Sequence, residues 1–103
     1  EGRSSTRYPV SLEATLSADS ARERCTVVNL SLGGALILTP WKLPLGHRVR
    51  LTFWISRVCE RIDVLATVRW SELTSVGLQF DGLRSIERIT LGRYFGHLSQ
   101  TPR

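Results

Sequence analysis

Two groups of side chains in this chain have the types and spacing to hold a polar, anionic ligand. The first is Arg3-Ser4-Ser5-Thr6-Arg7, a pair of guanidinium groups separated by three small polar residues. The second is Asn29-Leu30-Ser31-Leu32-Gly33-Gly34. An arginine presents a planar fork that matches phosphate oxygens or the edge of a guanine, and its plane can stack on a base. Asn offers a donor and an acceptor, Ser a hydroxyl, and glycines admit positive φ or let backbone approach a bound group. The same residue types build ordinary β-turns, so the Asn29 stretch taken alone reads equally as a plain turn.

Other chemistry is thinly represented. His47 and His97 stand apart, and neither has metal-ligand spacing to another His or Cys. Ser31 lacks the G-x-S-x-G setting of a hydrolase nucleophile. Glu60 and Asp63 flank a turn, where carboxylates form a solvated face. The chain is therefore expected to be a binding module, not an enzyme, with no catalytic residue, metal or cofactor.

A length of 103 residues with 42% apolar content fits one domain around one core. No apolar run approaches the roughly 20 residues that span a bilayer, and no signal peptide is visible, so a soluble, cytoplasmic protein is expected. The absence of Met suggests a segment of something longer. The net charge of +5 and a pI near 10.2 suit an anionic partner, whether nucleic acid, nucleotide or acidic membrane surface. Thirteen of the 14 basic residues are Arg, which favours forked contacts to phosphate or base, unless the bias is merely compositional. Cys25 and Cys59 lack a C-x-x-C partner and read as buried free thiols, a single bridge between them being the alternative. Asn29-Leu30-Ser31 also fits an N-glycosylation pattern, without the secretory signal that would make it relevant.

The elements that must position these residues follow from periodicity. Residues 1–9 have none and read as a flexible arginine-bearing arm. From Val10, the alternation of Val10, Leu12, Ala14 and Leu16 with polar residues marks a half-buried strand, followed by a turn at Ala18-Asp19-Ser20. A second strand runs from Arg22 to Leu30 and leads directly into the Asn29 turn. Ala35 to Thr39 is a continuous apolar run, as in a buried strand, stopped by Pro40. After a loop of about ten residues, Val49, Leu51, Phe53 and Ile55 give a fourth strand. Ile62, Val64, Ala66, Val68 and Trp70 form the inward face of a fifth, and Val76, Leu78 and Phe80 that of a sixth. Short turns between strands require antiparallel pairing, in a sandwich or, leaving no open edge, a barrel. From Leu83 to about Leu98 the apolar residues Ile86, Ile89, Leu91, Tyr94, Phe95 and Leu98 take helical spacing. Ser85 with Arg88 makes no capping box.

The pair R-x-x-x-R at Arg3 and Arg7, followed by N-x-S-x-x-G at Asn29, Ser31 and Gly34, resembles the PilZ-domain family of bacterial cyclic di-GMP receptors, in which Asp or Asn opens the second motif. Val68-Arg69-Trp70 and Gly77-Leu78-Gln79-Phe80 are similar to that family's closing strands, so the resemblance covers nearly the whole chain. It implies an all-β fold: a six-stranded antiparallel β-barrel over residues 10–82, with a C-terminal α-helix over 83–98 packing on it. It implies cyclic di-GMP as ligand, with Arg3, Arg7, Asn29, Ser31, Gly33 and Gly34 at the site. Asn29 and Ser31 would meet guanine edge or phosphate, and Gly34 would permit close approach. Binding would order the arm against the barrel and signal to another domain of the same chain or to a protein effector. The residue before the first Arg, here Gly2, influences in this family whether one ligand binds or an intercalated pair.

Two other functions use the same residues differently. A degenerate PilZ-like domain would bind only protein, its matched residues serving as turn and surface. A small-barrel nucleic-acid binder would use the net charge and aromatics such as Trp41, Phe53 or Trp54 as stacking platforms; most of these aromatics fall at inward or strand positions, and DNA is not an expected partner.

Overall fold

The computed structural model describes residues 6–55 and 60–99. Arg3, Gly2 and Cys59 lie outside the described residues, as does most of the expected arm. The elements are β1 (Tyr8–Ala18), β2 (Ala21–Leu30), β3 (Gly34–Leu38), β4 (Arg48–Ile55), β5 (Glu60–Ser71), β6 (Ser75–Phe80) and α1 (Ser85–Ser99). The strands close into an antiparallel barrel in the order β1-β2-β3-β6-β5-β4. Tyr8 and Pro9, read from sequence as arm, belong to β1 and face Leu30 and Asn29 of β2. Pro9 is tolerated there because it lies outside the stretch of β1, Ala14 to Ser17, that pairs with β4.

Alternation builds the core. Leu16, Val27, Ile37, Leu51, Phe53 and Ile62 are fully or almost fully buried inside the barrel. Leu43, from the segment between β3 and β4, joins the same core. The β1–β2 hairpin turns through Asp19 at φ 55°, a left-handed conformation that the short, hydrogen-bonding Asp side chain tolerates. β3 is half-buried, contrary to its unbroken apolar run. Ala35 and Ile37 point inward, while Leu38 is 46% exposed on the outer wall.

Two bulges break the alternation where it matters. In β2, Val27 pairs with Ile37 and Asn29 with Leu36, so Val28 is an extra residue. The parity therefore flips: Leu30 turns fully inward and Asn29 outward. In β5, Val68 pairs with Leu78 and Trp70 with Gly77, so Arg69 is extra. The inward Trp70 expected from strict alternation is for this reason 41% exposed on the outer wall.

Helix α1 packs at the end of the barrel where β1 begins, with Phe95 stacked on Tyr8 at a ring-centroid separation of 4.4 Å. Its buried face is Glu87, Thr90, Leu91, Tyr94 and Phe95. Leu91, Tyr94 and Phe95 are where the spacing put them, but Ile86 and Ile89 are 57% and 52% exposed. They lie one residue, about 100° of helix, off the face that docks. The cap explains the phase. Arg84 precedes the first helical residue, and its backbone N–H donates to Glu87 Oε1 at 2.9 Å while its Nη2 donates to Oε2 at 2.8 Å. Glu87 thus fills the reach-back half of a capping box, starting from Arg84 instead of Ser85. The hydrogen bond to Glu87, then its charge, push the Arg84 guanidinium still further above its ordinary pKa.

Candidate functional site

The hairpin of β1 and β2 is what brings the two motifs together. Because Tyr8 pairs with Leu30, Arg7 emerges beside the Asn29–Ser31 end of β2. Arg7, Asn29, Ser31, Gly33 and Gly34 line one cleft of about 670 Å³ on the outer barrel wall. Five of the six residues expected at the site therefore converge, and the sixth, Arg3, lies outside the described residues.

The turn is held by its own serine. Ser31 Oγ accepts from the backbone N–H groups of Gly33 and Gly34 at 3.1 and 3.2 Å, and Ser31 N–H donates to Gly34 O at 2.9 Å. Gly33 O in turn accepts from Phe80 N–H at 2.9 Å, which ties the turn to β6. Ser31 is 8% exposed, so its first task is to fix the shape of the turn. Neither Gly33 nor Gly34 takes positive φ. Gly34 is required for another reason: a Cβ there would collide with the Leu78 backbone carbonyl of β6. Its bareness makes room for a neighbouring strand, where the sequence suggested room for a ligand. Asn29, turned out by the Val28 bulge, makes no side-chain hydrogen bond to any described residue and keeps its amide free toward the cleft.

The far wall of the cleft was not anticipated as part of a site. Arg69, Trp70, Gly77 and Gln79 line it. Alternation already turns Arg69 outward, but it puts Trp70 in the core, and only the bulge brings the indole to the wall beside it. The adjacent Trp70 and Gly77 form a unit, because the indole lies over Gly77 so closely that any Cβ there would meet Nε1. A Gly directly opposite a Trp in antiparallel strands was the available signal, but the register that pairs them is invisible without the bulge.

Among the described residues, the cleft lining holds Arg7 and Arg69 and no carboxylate. Elsewhere on the wall, Arg48 is neutralised by Asp81 at 3.2 Å and Arg50 by Asp63 at 3.1 Å. Two cations with no acid among the described lining residues suit the cleft to an anion. Among the described residues no group of three or more His, Cys, Asp or Glu could hold a metal ion, and no helix is long and apolar enough to cross a membrane. Of the aromatics considered as nucleic-acid platforms, Phe53 is fully buried and Trp41 packs against the core, while Trp54 is exposed. Cys25 is buried and free, its thiol pushed up to about 11 by desolvation, which makes it unreactive near neutrality.

A closed six-stranded antiparallel barrel with one C-terminal helix carries this turn and this arginine. The family model for the PilZ domain matches residues 1–97, and the chain belongs to that family. Solved structures share the fold at low identity. The Bacillus subtilis inhibitor of motility matches with a TM-score of 0.83 at 18% identity, over 99% of this chain and 54% of that one. The chain thus spans about half the length of that protein. The PilZ domain of CeSA from a cellulose-synthesizing bacterium matches with a TM-score of 0.75 at 16% identity, over 92% of this chain and 99% of that one. An uncharacterised Legionella protein matches with a TM-score of 0.57 at 18% identity, over 91% and 94%. Among curated proteins, no sequence matches this chain significantly.

Proposed function

We propose that this chain binds cyclic di-GMP in the cleft between the Asn29–Gly34 turn and strands β5 and β6. The observation that carries the reading is the convergence of Arg7 and the free Asn29 amide in a cleft with no acid among its described lining residues, in a chain whose sequence matches both family motifs. Arg7 would fork onto a phosphate or the O6/N7 edge of guanine. Asn29 would read a guanine edge, though its single side-chain acceptor meets fewer of the two donated hydrogens than an Asp would. That weakens affinity without changing the ligand. The exposed Trp70 indole offers a platform on which a guanine can stack. Binding would bring Arg3 and the segment ahead of Tyr8 against the barrel, and so alter what is presented to another domain of the same chain or to a protein effector in the cytoplasm.

Calorimetric titration with cyclic di-GMP, beside GTP and GMP, tests the reading. Selective binding that Arg7→Ala weakens about tenfold or more is expected, since a charge-assisted hydrogen bond contributes roughly 1.5–3 kcal/mol. The fitted stoichiometry distinguishes one ligand from two. No heat at high ligand concentration would refute it and leave a protein-interaction domain.

A further inference from the structure

The arm and turn account for one side of the cleft, and Arg69 stands on the other. Arg69 is the extra residue of the β5 bulge, with no partner in β6; its side chain is on the outside of the barrel, and the bulge turns the exposed Trp70 out beside it. Its Nε donates to Gln79 Oε1. Gln79 lies on β6 directly opposite Gly34, so the guanidinium is braced against the same seam that holds the turn.

The chemistry of that brace is specific. Arg48, Arg50 and Arg84 each donate to a carboxylate, whereas Arg69 donates to a neutral carboxamide. Its orientation is fixed and its charge is not cancelled. With Nε engaged, the two terminal amino groups keep hydrogens for a second, planar acceptor pair, such as two phosphate oxygens or guanine O6 and N7. From β2, which carries Asn29, to β5 the wall crosses β3 and β6, three strand spacings or roughly 14 Å. A ligand with two phosphates and two guanines has groups to meet both ends at once.

We infer that Arg69 is a third ligand-binding arginine, engaging the half of the cyclic dinucleotide remote from the Asn29 turn, and that Gln79 is its positioning residue. The inference rests on the cyclic di-GMP reading above. It differs in kind from the role of Arg7, which leaves the barrel at the start of β1, because Arg69 is preset on the wall before ligand arrives.

The test is calorimetric titration with cyclic di-GMP of the wild type, Arg69→Ala, Gln79→Ala and the double variant, alongside Arg7→Ala and thermal melts of each. Arg69→Ala is expected to weaken binding about tenfold or more. Gln79→Ala should weaken it less, and should cost nothing further once Arg69 is gone. Melting temperatures should stay close to wild type, since Arg69 and Gln79 are exposed. Arg69→Lys should recover only part of the loss, because a single ammonium cannot bond Gln79 and present a coplanar fork. The inference is overturned if Arg69→Ala binds as the wild type does, or if Lys restores binding fully. A Gln79→Ala loss of equal size with and without Arg69 would also sink the positioning role. Binding abolished by Arg7→Ala but untouched by Arg69→Ala would leave the receptor reading standing and refute this one, whereas a wild type that does not bind refutes both.

Discussion

Replacing Gly34 with Ala separates two explanations of a motif glycine. The structure places the missing side chain against Leu78 O of the neighbouring strand, in a pair where Gly34 faces Gln79 and Ala35 faces Leu78. The obstacle is backbone of a paired strand in a closed barrel, so no rotamer change can relieve it, and β3 must move away from β6. Overpacking of this kind costs about 1–3 kcal/mol, and a rigid carbonyl sets the upper part of that range. For a domain of this size, about 2–3 kcal/mol lowers Tm by roughly 10–20 °C. Urea and thermal unfolding followed by circular dichroism read the change directly. Gly92→Ala is the control, since a Cβ there meets nothing within 4 Å and an exposed helical Gly to Ala change stabilises by about 0.5–1 kcal/mol. A Gly34→Ala protein that melts like the wild type but no longer binds cyclic di-GMP would refute the strand-contact argument and return Gly34 to the ligand.

Gly77→Ala should expel the Trp70 indole from its place over β6, with a small stability cost because Trp70 is partly exposed and can swing; the expected readout is altered tryptophan emission together with weaker ligand binding. Glu87→Gln removes the buried carboxylate that receives both donors of Arg84, and should lower the urea midpoint and fray the first turn of α1 without changing barrel content. Burial raises the Cys25 thiol from 9.0 to about 11, so the folded state holds it protonated where the unfolded state has already ionised. Stability from this group is complete below pH 9 and is lost as pH rises toward about 11. In a Cys59→Ser background, denaturation at pH 8 and pH 10.5 should show this decline, and alkylation of Cys25 at pH 8 should be slow until the protein is unfolded.

The barrel and its strand faces were legible because β4, β6 and β1 beyond Leu12 alternate inward apolar residues with outward ones, and most of the turns are short. Arg7 and Asn29 were legible as partners through the resemblance of their motifs to the PilZ family, and the β1–β2 hairpin shows how their ends are joined. What escaped is what depends on register and phase. Trp70 read as core because nothing local announces that Arg69 is an extra residue in its strand. Ile86 and Ile89 read as core because hydrophobicity alone cannot say which of two adjacent helical stripes will dock. The Tyr8–Phe95 stack and the Arg84–Glu87 cap decide that, and both are contacts of the finished fold. Gly34 was read as a place for ligand because the strand that fills its space comes more than thirty residues later in the chain.

The β3–β6 seam has a consequence for the order of events. Gly34 meets Gln79 and Leu38 meets Ser75, so the pairing that sets the two walls of the cleft side by side must close a long loop, and the β1–β2 hairpin cannot supply it alone. The hairpin makes half a site early, and the other half exists only once the last strand has been inserted between β3 and β5. A ligand that spans the seam therefore has affinity for the completed barrel and little for any fragment of it. Its binding energy adds to the stability of the whole fold, by RT ln(1 + [L]/Kd), and not to one element of it.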